Sequence, residues 1–179
     1  LSLVLQQVMV VGVIAIGQTL IILTAGIDLS CGMVMALGSI VMTKFAADLG
    51  LPTPVAIACG IAVTTLFGLV NGLLVTRLKL PPFIVTLGTM GVCRGLAKWV
   101  ANNQVVNVPE ASPVNLWMAP AESGPSLLVP PGVWVTLVLG TALGLILRHT
   151  LFGRHLFAVG ATEAAAAYSG IRVAWLKFR

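Results

Sequence analysis

Apolar residues fill this chain in long runs, and most polar and charged residues are gathered into the intervals between them. Residues 3–25 carry no charge, and at about 1.5 Å per residue a helix of that length crosses a hydrocarbon core of roughly 30 Å. Residues 33–47 stay apolar as far as Lys44, whose ammonium can snorkel to an interface, and alone they are short for a span. The turn DLGLPTP precedes a third run, 54–76, with Pro54 suited to the first turn of its helix. That run ends at Arg77 and Lys79. The following LPP restarts the chain, because a residue before proline is biased away from helix. A fourth run, 83–100, carries Arg94 and Lys98 towards its end, and PPGVWV opens a fifth, 132–147. Between those two, residues 101–131 hold six prolines and read as a long irregular connection that cannot sit in lipid. The pattern predicts an all-α, polytopic transmembrane bundle forming a single partial domain, interrupted near Asp28.

Composition agrees with that pattern. The chain is 58% hydrophobic and 8% charged, with mean hydropathy +1.06, whereas a soluble domain carries about a quarter charged residues. The net charge of +5 does not indicate a nucleic-acid partner, because the basic residues lie between apolar runs and form no continuous face. They orient the chain instead. If the runs alternate across the bilayer, Arg77, Lys79, Arg148, Arg154, Arg172, Lys177 and Arg179 share one side. Only Lys44, Arg94 and Lys98 fall towards the other. The excess of positive charge places residues 77–82 and 148–172 in the cytoplasm and 101–131 outside.

The cysteines, Cys31, Cys59 and Cys93, form no CxxC pair and read as small apolar fillers. His149 and His155 are six residues apart, the wrong spacing for one helix face, and read as interfacial rather than metal-binding. No paired acids, metal-ligand spacing or nucleophile constellation points to an enzyme. The sequence begins at a leucine and ends as another apolar stretch opens, so a fragment of a longer protein is expected.

Asp28 is the residue out of place. A carboxylate within a transmembrane segment costs about 2.5 to 3.5 kcal/mol on insertion scales, so protein groups or a polar cavity must satisfy it. If the next helix starts at Leu29, Asp28 is its N-cap and accepts from the amide of Ser30 or Cys31. The alternative is direct contact with a transported molecule. Both readings place the bend beside a pathway, because broken helices at membrane depth need a protein-lined cavity. Asn71 either bonds between helices or faces a pore, and Arg94 either snorkels outward or pairs with an acid such as Asp28. Gly68 and Gly72, Gly91 and Gly95, and Gly140 and Gly144 are pairs spaced to let helices approach closely.

In GATEAAAAYSGI, residues 160–171, Thr162 is a candidate cap, Glu163 suits the first turn, the alanines favour helix and Gly170 supplies a stop. A helix below about 12 residues is marginal alone and needs a surface to dock on. Its alanine face fits a groove on a partner better than it fits a membrane surface, which calls for large apolar anchors.

Three blocks, GIDLSCG at 26–32, NGLLVTRLKLPPFIVTLGTM at 71–90 followed by Arg94-Gly95-Leu96, and TLFGRHLFAVGATEAAAAYSGIRV at 150–173, stand in one order along nearly the whole chain. Together they resemble the permease subunit of ribose-type ABC sugar importers, within the superfamily shared with branched-chain amino acid permeases. The amino-acid branch usually has an Asn-Phe-Ala-His-Gly type sequence in place of Asp-Leu-Ser-x-Gly. Cys31 and Met33 depart from the family's more frequent Val and Ser.

The resemblance implies that Asp28, Ser30 and Gly32 lie by the translocation path, to which the residue-level reading adds Asn71 and Arg94. It also implies that Gly153, Arg154, Gly160, Glu163, Ala164, Ala165, Ser169 and Gly170 belong to a cytoplasmic coupling segment engaging an ATP-binding subunit. The expected protein is the multi-pass subunit of a monosaccharide importer in the bacterial inner membrane. Its partners are an ABC ATPase carrying the ATP and Mg, a periplasmic sugar-binding protein and a second permease copy. No cofactor, metal or catalytic residue is expected in this subunit, which has no Walker A motif. The rivals are a related permease for amino acids or nucleosides, an ion-coupled secondary carrier, and a truncated inactive product.

Overall fold

The computed structural model describes residues 2–107 and 131–178, so most of the proline-rich connection, 108–130, lies outside the described residues, as do Leu1 and Arg179. The helices are α1 (Ser2–Leu23), α2 (Cys31–Ala47), α3 (Thr53–Thr76), α4 (Pro82–Val100), α5 (Pro131–His149), α6 (Leu151–Ala161), α7 (Glu163–Tyr168) and α8 (Val173–Phe178). Among the described residues, three helices are long and apolar enough to cross a membrane: Thr53–Thr76, Pro82–Val100 and Gly132–His149. None of the third is buried within the chain. An apolar helix left uncovered in this way suits lipid or neighbouring membrane helices.

The punctuation has local causes. Proline stands in the first turn of both α3 and α4, where its missing N–H removes a donor that would be unpaired anyway. At the end of α1 the amide of Ala25 donates to Ile22 O at 2.9 Å and that of Gly26 to Ile21 O at 3.0 Å. These bonds close the helix with Ala25 at φ 55°, a left-handed conformation costing an alanine about 1–2 kcal/mol. Asn102 and Asn103, both at positive φ, close α4 with residues that tolerate it better. Gly170 ends α7 at φ +85°, its amide donating to Ala167 O and the next amide to Ala166 O.

The described chain divides into two compact units, one built from α1 and α5 to α8, the other from α2 to α4. In the first, Leu156, Val159, Ala166 and Leu176 form the buried core, covered by Leu20, Leu23 and Leu147. In the second, α2 packs against α3 and α4 over Leu37, Val41, Cys93 and Ala97, with Val63 and Phe67 against them.

Several expectations are corrected. The helix after the break starts at Cys31, not Leu29, so Ser30 holds the N-cap position and Asp28 lies two residues before it. Thr162 does precede α7, but its hydroxyl donates to Ala161 O at 2.7 Å and makes no cap bond. Among the described residues, Gly68, Gly91, Gly95, Gly140 and Gly144 make no close approach either. A Cβ at Gly68, Gly91, Gly95 or Gly144 would meet nothing within 4 Å, and one at Gly140 would make an ordinary contact with Ile16. In the unit of α2 to α4 a close seam lies between Gly38 of α2 and Gly60 of α3, where a Cβ on Gly60 would stand 2.9 Å from Gly38 O.

Candidate functional site

In the second unit the break and the two helices that follow it line an open cavity of about 470 Å³. Asp28, Ser30 and Asn71 form part of its wall, with Ser39 and Thr64 as further polar groups. Met35, Met42, Ile57 and Ile61 make much of the remainder apolar. Gly38, Gly60 and Gly68 also line it, so part of the wall carries no side chain.

The polar wall is held by a chain of hydrogen bonds. Asp28 Oδ1 accepts from the Ser30 amide at 2.7 Å and from the Ser30 hydroxyl at 2.6 Å. Ser30 Oγ in turn accepts from Asn71 Nδ2 at 3.0 Å, and Asn71 Oδ1 accepts from the Thr89 hydroxyl at 2.5 Å. Thr86 adds a longer bond from α4 to Ile27 O at 3.4 Å, beside its local bond to Pro82 O at 2.9 Å. Ser30 is 1% exposed and Thr89 8%. A buried hydroxyl needs a partner, and here each hydroxyl has one on another element or across the turn. Asp28 therefore shapes the turn by accepting from the Ser30 amide, and its carboxylate also belongs to a network reaching α3 and α4.

Of the sequence-derived path residues, the structure brings together Asp28, Ser30 and Asn71. Gly32 does not line the cavity, and Arg94 is exposed on α4, off the stripe Val85, Thr86, Thr89, Cys93 and Ala97 that this helix buries. The ion pair described is Lys44 with Asp48, 2.8 Å apart, at the far end of α2. Thr89 is the residue that sequence reasoning missed. Its signal was a threonine four residues before Cys93 and eight before Ala97, the spacing of one helix face.

The first unit holds the segment 148–172. Thr150 separates α5 from α6, its hydroxyl accepting from the Gly153 amide at 3.3 Å, and a Cβ at Gly153 would overlap the Leu147 carbonyl. Gly160 meets the end of α1 in the same way, since a Cβ there would overlap Leu23 O. Both glycines thus have a packing cause. The short α7 seats Ala166, 4% exposed, in the core, while Glu163, Ala164, Ala165, Ser169 and Gly170 face outward together with Tyr168, 93% exposed. Arg154 is exposed on α6.

The family model described as branched-chain amino acid transport system / permease component matches residues 1–179. A fructose import permease of Rhizobium meliloti is 38% identical over 177 residues, covering 97% of this chain and 49% of its own length. Ribose import permeases of Escherichia coli K12 and Bacillus subtilis are 35% and 38% identical, again over 97% of this chain and over 54% and 52% of theirs. The chain spans about half the length of these curated relatives. No solved structure matches it significantly.

Proposed function

The chain belongs to the family of branched-chain amino acid transport system permease components, and on that premise we propose that it is part of the membrane-spanning subunit of an ATP-driven importer of monosaccharides. The observation that carries the reading is the 35–38% identity to ribose and fructose import permeases along 97% of the chain. The cavity at the Asp28 break lies on the translocation path. Its hydroxyl, amide and carboxylate groups suit a neutral polyhydroxy molecule, and its apolar wall suits the carbon face of a sugar ring.

The outward face of α7 supports a partner at the cytoplasmic side. Small side chains allow close approach, and the adjoining Tyr168 offers the large amphipathic contact that interfaces use. The partner is an ABC ATP-binding subunit, which carries ATP and Mg. A binding protein in the periplasm delivers the sugar, a second permease copy completes the path, and the assembly sits in the bacterial inner membrane. Closure of the ATPases moves α7, and the movement alternates access to the cavity. The test is uptake of radiolabelled ribose and fructose by the full-length permease reconstituted with its ATPase and binding protein. Uptake of either sugar that needs ATP supports the reading. Uptake of leucine in their place assigns the chain to amino-acid transport.

A further inference from the structure

The three side-chain hydrogen bonds that link Thr89, Asn71, Ser30 and Asp28 run in one direction. Asp28 Oδ1 accepts a hydrogen bond from the Ser30 hydroxyl, and Ser30 Oγ, with its one proton so engaged, is left to accept from Asn71. That requirement turns the Asn71 amide so that Nδ2 faces Ser30 and Oδ1 faces α4, where Thr89 meets it as a donor. Asn71 lines the cavity. Thr89 does not, standing behind it on the buried stripe of α4. A flipped amide would turn Oδ1 on the Ser30 oxygen, so Ser30 would have to withdraw its proton from Asp28. Ser30 thus sets the orientation of the amide, and Thr89, donating to Oδ1, anchors its far end in that orientation.

We infer that Thr89 is a positioning residue of the translocation path: through Asn71 it fixes the Ser30 hydroxyl and the Asp28 carboxylate on the cavity wall. The inference rests on the transport reading for its consequence, and on the hydrogen bonds alone for its geometry. Thr89→Val keeps the shape of the side chain and removes the donor, leaving Asn71 Oδ1 without a partner in a part-buried site. Sugar uptake then falls on the order of tenfold, the factor that an unsatisfied polar group supplies. Thr89→Ser, which keeps the hydroxyl, restores it.

The test uses the full-length permease with its ATPase and binding protein, and two readouts. The first is uptake of radiolabelled ribose and fructose by Thr89→Val, Thr89→Ser, Asn71→Ala and the Thr89→Val/Asn71→Ala double variant. If Thr89 acts through Asn71, the double variant is no worse than Asn71→Ala alone. The second is the rate at which a small maleimide alkylates Cys31, which lines the cavity next to Ser30, in a Cys59→Ser/Cys93→Ala background. Thr89→Val changes that rate and Thr89→Ser returns it.

Wild-type uptake and wild-type alkylation in Thr89→Val overturn the inference, and so do losses that multiply in the double variant. If the unsubstituted assembly takes up neither sugar, the transport reading fails and the alkylation rate alone decides the role of Thr89. Should Thr89→Val fail to assemble, Thr89→Ala removes the same donor with less bulk, and the same outcomes apply to it.

Discussion

Gly60→Ala and Gly68→Ala place one methyl group at two positions of the same helix, both on the cavity wall, with opposite expected results. At Gly60 the new Cβ would stand 2.9 Å from Gly38 O and 3.1 Å from Met42 Cβ. One neighbour is backbone and the other the first carbon of a side chain, so neither yields without moving α2. Overpacking of this kind costs about 1–3 kcal/mol, and the better helix propensity of alanine offsets about 1 kcal/mol of it. The net loss is up to about 2 kcal/mol. At Gly68 nothing lies within 4 Å, so the propensity gain of about 1 kcal/mol stands alone. Equilibrium unfolding of the full-length permease in detergent micelles measures both. A Gly60→Ala protein as stable as Gly68→Ala would refute the Gly38–Gly60 seam.

Asp28→Asn keeps a carbonyl oxygen that can accept from Ser30, so folding and much of transport survive, whereas Asp28→Leu orphans the Ser30 amide and loses both; membrane insertion and uptake assays distinguish them. If Asn abolishes uptake in a normally assembled protein, the negative charge itself is needed. Gly160→Ala drives a methyl into the Leu23 carbonyl and destabilises the packing of α6 on α1 by about 1–3 kcal/mol, read by the same unfolding measurement. Wild-type stability there would contradict the packing at Gly160. Single cysteines at Gln104 and Thr162, each in a background lacking the native cysteines, label from opposite faces of the membrane; labelling of both from one face would overturn the expected topology.

The all-α class could be read from apolar runs too long for anything but helices in lipid, and the prolines at 54 and 82 announce where α3 and α4 begin. Asp28 stood out because a lone acid in an apolar run demands compensation. Its partners did not stand out. Whether Asn71 and Thr89 turn inward depends on the rotation of two helices and on which helices are neighbours, and an apolar run with a weak amphipathic signal fixes neither. The Gly38–Gly60 approach was hidden for a related reason. It joins one glycine on each of two helices, and no spacing along a single helix marks such a pair. Helix α6 escaped notice because its cap, Thr150, directly follows α5, leaving no loop to mark a new element. At Thr162 the expected residue occupied the cap position, but its hydroxyl found the nearer Ala161 carbonyl.

On the proposed reading, the outward face of α7 docks on an ATP-binding subunit. Ala165, exposed on that face, tests it most directly. Ala165→Arg inserts bulk and a desolvated charge into a close contact. It should weaken assembly by roughly 3–5 kcal/mol, the scale of an uncompensated buried charge, while leaving the buried Ala166 and the spans in place. The measurement is co-purification of the full-length permease with its ATPase. Docking through this face predicts that Ala165→Arg abolishes co-purification in a permease that inserts normally, and wild-type recovery of the ATPase with that variant would contradict it.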